Sequence, residues 1–222
     1  MYILAVGFLA TAKRKKNQLI KKYYVKIKFR ATQRGVSSLK GNWSGAVITS
    51  LVYTIVAVAI VCVPVFGPFA NLFLVVPIAW GLSIAFLDLC REGKKVSTDS
   101  LWVALRSGMA EYKRITFTLL LMALYVMLWC LLLYVPGIIK MLSYSLTYYI
   151  LKDEPELKYN AAIEKSMAMM QGNKMKLFKM VLILALIGMV ASITIVGIFW
   201  FIPYAQTAMA AFYEDVKKNY QA

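Results

Sequence analysis

The stretch that decides the fold runs from Ala46 to Leu87: AVITSLVYTIVAVAIVCV over 46–63, the junction Pro64-Val65-Phe66-Gly67-Pro68, and FANLFLVVPIAWGLSIAFL over 69–87. Neither apolar run holds a charged side chain. Each is close to the roughly 20 residues a helix needs to cross a hydrocarbon layer about 30 Å thick. Backbone polar groups in lipid must be satisfied internally, which a helix achieves within one segment. Proline and glycine cannot continue a helix cheaply, and a turn at the far membrane surface is where they cost least. The stretch therefore predicts two spanning helices joined as a hairpin.

The same plan recurs twice further along the chain. After a polar stretch over 88–112 and Lys113-Arg114 come an apolar run from Ile115 to Val135, the pair Pro136-Gly137, and a shorter run from Ile138 to Leu151. A second polar stretch over 152–176 leads to Leu177–Val196, a break near Gly197, and Ile198–Tyr213. Hairpins over 46–87, 115–151 and 177–213 predict an all-α membrane protein of six transmembrane helices, arranged as three helical hairpin repeats. The transmembrane domain then occupies 28–216, with a short cytoplasmic tail over 217–222.

The first and third units agree best when laid over one another. Lys40-Gly41-Asn42 matches Gln171-Gly172-Asn173 before the first helix, and Val76-Pro77-Ile78-Ala79 matches Ile202-Pro203-Tyr204-Ala205 in the second. Asp88 falls opposite Glu214. Gly41, Asn42, Gly172, Asn173, Pro77, Pro203 and Tyr204 are thus the candidate structural motif. The middle unit offers Gly108 and Tyr149 at those places, so its membership rests on the shared plan of polar helix, span, turn and span. Pro77 and Pro203 should kink their helices or mark where those helices effectively begin.

Composition supports a lipid environment. The chain is 61% hydrophobic, against about 45–50% for soluble domains, and its 26 Lys plus Arg outnumber 10 Asp plus Glu to give a net charge of +16. The cations gather in 13–40, 91–114, 152–179 and 217–218, leaving Lys140 alone inside a span. Under the positive-inside rule this places both termini and the inter-unit segments in the cytoplasm. It also argues against a basic face for nucleic acid. Anionic lipid at the cytoplasmic face is the expected partner, worth about 1 kcal/mol for each Lys or Arg close to the surface.

Short amphipathic interfacial helices are expected between the hairpins. Leu101, Leu105 and Met109 share one helical face, as do Ile163, Met167 and Met170, with Asp99 and Asp153-Glu154-Pro155 as start signals. Residues 1–27 form a basic extension whose apolar part, MYILAVGFLA, precedes its charges. A secretory signal has the opposite order. The extension reads as disordered or interfacial, consistent with a start codon assigned too far upstream.

Asp153-Glu154-Pro155, Ser166, Gly172-Asn173-Lys174, Phe178, Ile202-Pro203-Tyr204 and Ala211-Phe212-Tyr213 resemble an uncharacterised family of bacterial integral membrane proteins, catalogued as domain of unknown function 975. Leu39-Lys40-Gly41-Asn42-Trp43 is similar to that family's opening signature, so the resemblance spans about Lys28 to Tyr213. Met189 departs from the family's pattern, which carries an aromatic residue after Ile187-Gly188. The resemblance implies a bacterial cytoplasmic (inner) membrane location and supplies no activity. The build is also loosely similar to membrane domains appended to glycerophosphodiester phosphodiesterases, although the metal-binding acids and histidines of such a catalytic domain are missing here.

The chemistry available is sparse. No Asp or Glu falls inside a predicted span and the chain has no His, so the usual carriers of an intramembrane proton relay are lacking. No nucleophile elbow, phosphate-cradling glycine loop or paired carboxylates within a span can be found. Cys62, Cys90 and Cys130 lack metal-ligand spacing. The expectation is a non-enzyme with no catalytic residue, cofactor or metal, in which Asp153, Glu154 and Glu156 form a solvated face or a helix start. Lys140 is expected to snorkel to headgroups near the outer surface; the alternative is a cation facing a central cavity. The second helix of each unit is the more polar. Asn71 and Ser83, Ser143 and Thr147, Gln206 and Thr207 are candidates to line a space between these helices, either as tight packing contacts or as a ligand cavity. Tyr144, Tyr148, Tyr149, Trp200, Tyr204, Phe212 and Tyr213 read as an interfacial aromatic belt. Two functions follow: binding or passage of a small amphipathic or lipid-like ligand between the second helices, or a membrane scaffold docking a protein or anionic lipid through basic segments.

Overall fold

The structure, a computed structural model, describes residues 37–62 and 70–221. The N-terminal extension and the Pro64–Pro68 junction lie outside the described residues. All regular structure among the described residues is helical. Helix α1 is Trp43–Val61; a π-turn, Asn71–Val75, leads directly into α2, Val76–Glu92; a 3-10 turn, Thr98–Trp102, precedes the single-turn α3, Val103–Arg106. Then come α4 (Met109–Leu132), α5 (Tyr134–Tyr144), α6 (Thr147–Asp153), α7 (Asn160–Met169), α8 (Lys174–Ser192) and α9 (Ile195–Gln221).

Among the described residues four helices are long and apolar enough to cross a membrane: Trp43–Val61, Asn71–Glu92, Met109–Leu132 and Lys174–Ser192. Their burial separates two layers. Only 17%, 22% and 17% of the apolar windows of α1, α4 and α8 are buried, against 67% for the helix containing α2. Helices α1, α4 and α8 are therefore peripheral and shed Ile55, Val58, Leu124, Leu128, Leu182 and Leu186 onto the outer surface. So large an exposed apolar area is what a lipid-facing surface requires. The inner layer is α2, α5–α6 and α9, which carry most of the principal core.

Local chemistry explains several boundaries. Gly41 (φ +83°) and Gly172 (φ +72°) turn the chain into α1 and α8, conformations that cost other L-residues about 1–2 kcal/mol. The next residue then caps back in each case, Asn42 N–H to the Leu39 carbonyl at 2.9 Å and Asn173 N–H to that of Met170 at 3.1 Å. Gly108 (φ +91°) holds the corresponding place before α4. Pro77 marks the start of regular α-helix behind the π-turn. It has no N–H for the carbonyl four residues back, that of Phe73, and the Tyr112 hydroxyl donates to that carbonyl instead. Pro203 lies inside α9.

The second hairpin turns at Leu133, not at Pro136-Gly137. Leu133 is extended (φ −156°), and Pro136 sits in the first turn of α5, where a missing N–H costs nothing. Gly137 serves close packing: a Cβ there would meet Cys130 Sγ of α4 at 2.5 Å. The arm after this turn is two pieces rather than one helix. At the break the buried Ser166 hydroxyl accepts from Leu146 N–H at 3.2 Å and donates to the Ser143 carbonyl at 2.8 Å, so α7 replaces the interrupted backbone bonds. In the third hairpin the interruption falls at Ile193-Thr194 rather than at Gly197.

The linkers also differ from simple surface helices. Of the face expected to hold Leu101, Leu105 and Met109, Leu101 is fully buried and Leu105 half-buried, whereas Met109 is exposed beyond the Gly108 break. The cap is Ser97, whose side chain accepts from Asp99 N–H at 3.3 Å. The 3-10 turn lies so close to α2 that a Cβ on Gly81 would meet the Ser100 carbonyl at 2.5 Å. Helix α7 does bury Ile163, with Met170 buried just past its end and Met167 half-buried. It starts after Tyr159, at φ +48° with its N–H donated to Thr118 Oγ1 at 2.9 Å, and Asp153 closes α6 instead of starting α7.

Candidate functional site

A cavity of about 350 Å³ lies where the inner helices meet. Helix α2 contributes Ala79, Leu82 and Ser83; the broken arm contributes Met141, Tyr144, Ser145, Tyr148 and Tyr149; α9 contributes Gln206 and Met209. Tyr53 of α1 and Met122 and Val126 of α4 complete the wall. Among the described residues no lining side chain carries a charge. Ser83 and Ser145 donate to the carbonyls of Ala79 and Leu142 at 3.1 and 2.8 Å, which leaves their oxygen lone pairs as acceptors. The Gln206 amide and the tyrosine hydroxyls can donate, and three methionines give an adaptable, polarizable surface. Tyr53, Met122 and Val126 are half-buried and Met141 is exposed, so the cavity opens beside the apolar outer surface.

Behind Tyr149 lies an ion-paired joint that ties α2, α6 and α9 together. Tyr149 stacks on Tyr213 with ring centroids 4.9 Å apart and planes at 20°. The Tyr213 hydroxyl donates to Asp153 Oδ2 at 2.5 Å. Arg91 donates to both carboxylate oxygens of Asp153 at 2.6 Å, and through Nε to Glu214 at 2.6 Å. Lys217 adds a bond to Asp153 Oδ2 at 2.6 Å. Burial alone would raise the Asp153 pKa, but the hydrogen bonds from Arg91, Lys217 and Tyr213 outweigh it and hold the carboxyl well below the usual carboxylate range. Two flanking pairs, Lys152 with Asp88 and Lys165 with Glu154, brace the same end of the bundle. Arg114, itself buried, pairs with Glu111 and donates to the carbonyls of Leu151 and Leu157 at 2.7 and 2.8 Å.

Of the residues singled out in the sequence, Ser83 and Gln206 line the cavity. Ser143, Thr147 and Thr207 are buried on the same helices without lining it. Ser143 and Thr207 donate to the carbonyls of Ile139 and Pro203 at 2.8 and 2.5 Å, and the Thr147 hydroxyl is buried without a partner among the described residues. Asn71 opens the π-turn, half-buried and away from the cavity. Lys140 is half-buried, with Nζ 4.8 Å from the Trp129 ring centroid and 4.0 Å from Met167 Sδ. It stacks as a cation on an aromatic face and is not part of the cavity wall.

The sequence reading missed the joint. Asp153, which reads in the sequence as part of a solvated face or a helix start, has a side chain only 6% exposed. Arg91 was counted only as one more cytoplasmic cation. The one available signal was the match of Asp88 with Glu214, acids closing corresponding inner helices. Tyr144, Tyr149, Phe212 and Tyr213 are buried rather than belted at an interface, because the helices that carry them are internal. Among the described residues no cluster of Cys, Asp or Glu could hold a metal ion, and Cys90 donates weakly to the Thr207 carbonyl at 3.7 Å.

Residues 131–220 match a family described as "Protein of unknown function (DUF975)". The matched region runs from the end of α4 into the last turn of α9 and includes Tyr149, Asp153, Gln206, Tyr213, Glu214 and Lys217, so it covers one side of the cavity and the joint except for Arg91. No curated protein and no solved structure matches the chain.

Proposed function

We propose that this is a multi-pass protein of the bacterial inner membrane that binds a neutral amphipathic or lipid-like molecule in the cavity between its inner helices, without chemical conversion. The observation that carries the reading is the wall itself: apolar, aromatic and sulfur side chains with a few hydrogen-bonding groups and no charge. Binding sites for small molecules have this make-up, and about 350 Å³ falls in their usual range of roughly 300–1,000 Å³. Burying a phosphate or carboxylate against such a wall would leave its charge unpaired, at a cost far above that of a neutral group. The part of the ligand inside is therefore an uncharged ring or chain with a carbonyl or hydroxyl, and any charged headgroup stays at the mouth.

Six spans in three related hairpins, with both termini cytoplasmic, complete the proposal. In its support, the ends of α2, α6 and α9 gather at one joint, and a glycine with positive φ precedes each peripheral helix. Reagents applied from outside the cell should fail to label cysteines placed beside Lys95 or Lys158; labelling there would overturn this topology.

The ligand reading is tested by purifying the protein from native membranes in mild detergent and measuring retained lipids by mass spectrometry. Wild-type protein should keep a neutral species at near-stoichiometric level, and Ser83→Phe, which fills the cavity, should retain at least tenfold less while eluting as wild type does. Equal retention by both would overturn it. A second reading, docking of anionic lipid or a protein partner, is favoured by the start of α8, where Lys174 and Lys179 flank the exposed Met175 and Phe178. A stoichiometric protein in the same preparation would favour it.

A further inference from the structure

We infer that the protein senses occupancy of its cavity, transmitting it through the Tyr149–Tyr213 stack to the ion-paired joint and so to the C-terminal end of α9. The inference rests on the ligand-binding reading and adds a consequence of binding. Tyr149 is the residue that belongs to both places: it lines the cavity, and its ring lies on that of Tyr213. Tyr213 is buried and anchored by its hydroxyl to Asp153, and its ring centroid lies 5.8 Å from Arg91 Cζ.

Interiors packed at crystal density offer two stacked rings little room to yield. An occupant that presses on Tyr149 displaces Tyr213, and Tyr213 cannot move without lengthening its bond to Asp153. Asp153 is the hub of the joint, since Arg91 of α2 and Lys217 of α9 both bind it. Beyond Lys217, Lys218, Asn219 and Tyr220 are exposed, so loosening the hub frees the end of α9. On this inference the joint has a second, open arrangement, which is what lets one site bias another. Its closed arrangement is the one seen here.

The test uses a covalent occupant, so it does not depend on knowing the natural ligand. In full-length protein with Cys62, Cys90 and Cys130 replaced by Ala, Val126→Cys is modified at the cavity wall with benzyl or with methyl methanethiosulfonate. Hydrogen exchange is then followed for amides 214–220. The benzyl adduct should speed their exchange at least tenfold and the methyl adduct less than twofold. With Tyr149→Leu added, which removes the stack, the two adducts should give the same rates. Unchanged exchange with the benzyl adduct, or an equal rise in the Tyr149→Leu background, would refute the inference. An adduct that unfolds the bundle would also speed exchange along α8; in that case the same comparison at Met122→Cys decides. Equal ligand retention by wild type and Ser83→Phe speaks against the binding reading alone, whereas failure of the adduct experiment speaks against transmission alone.

Discussion

Replacing Asp153 by Asn should cost about 3 kcal/mol of stability, and the size of that loss tests whether the joint holds the inner helices together. The carboxylate accepts four bonds: two from Arg91, one from Lys217 and one from Tyr213. Asparagine has nearly the same shape but only one acceptor oxygen. Its best placement keeps the oxygen at the Oδ2 position, which serves three donors, and turns its NH2 toward Arg91 Nη1. One charge-assisted bond is lost, worth roughly 1.5–3 kcal/mol, and the other three weaken toward neutral strength. Arg91 keeps Glu214. Arg91 and Lys217 are also 22% and 28% exposed, so water recovers part of the loss. The sum settles near the lower end of the roughly 3–5 kcal/mol seen when one partner of a buried pair is removed.

That loss corresponds to about a 150-fold change in the unfolding equilibrium and, at this chain length, to a fall in Tm of about 6–12 °C. The assay is thermal unfolding in mild detergent, followed by size-exclusion fluorescence. Lys152→Ala provides the contrast, because its ion pair with Asp88 leaves both side chains 27% exposed and such pairs contribute less than about 1 kcal/mol. A fall within about 2 °C for Asp153→Asn, or the same fall for both variants, would refute the account. The double replacement Arg91→Met with Asp153→Leu should be milder than Asp153→Asn, since Glu214 and Lys217 then remain to pair with each other and no charge is stranded.

Other outcomes can be checked with the same preparation. Gly81→Ala should lower Tm by about 2–12 °C, because its Cβ would meet the Ser100 and Leu101 carbonyls at 2.5 and 2.8 Å and push the 3-10 turn off α2, an overpacking cost of about 1–3 kcal/mol. Gly172→Ala should lose about 1–2 kcal/mol with no steric clash, since none of the described residues lies within 4 Å of the new Cβ and the φ of +72° is what opposes it; Gly172→Asn should lose less, and equal losses would remove the backbone explanation. The stabilisation from Asp153, whose folded pKa is depressed, is complete above the unfolded carboxylate value of about 3.9 and disappears only as pH falls through the lower folded value. The Tm difference between wild type and Asp153→Asn should therefore stay constant from pH 8 to about pH 5; a difference that shrinks across that window would contradict the assignment. Lys140→Met should leave lipid retention unchanged, because Lys140 lies on Trp129 outside the cavity wall.

How much of this was legible in the sequence depends on which force sets each feature. The long uncharged runs report transfer of whole segments into lipid, a property summed over some twenty residues, and they correctly located α1, α2, α4 and α8. The matched glycines before α1 and α8 were legible because a positive φ admits few other residues. Turn positions were less so: Pro136-Gly137 has the composition of a turn, yet the proline fits the first turn of α5 and the glycine serves contact with Cys130. Which helix faces inward depends on a neighbour that periodicity cannot identify, so Tyr149 and Tyr213 looked like interfacial aromatics until α6 was found against α2 and α9. The joint was harder still. Arg91, Asp153 and Glu214 are separated by about sixty residues at each step, and locally each has the ordinary charge of a helix end. Their pairing exists only once three helix ends converge, and convergence also turns Asp153 from a solvated acid into a buried one. The cavity and the joint are therefore products of the same packing event, which is why a change at Tyr149 on one side is expected to reach Lys217 on the other.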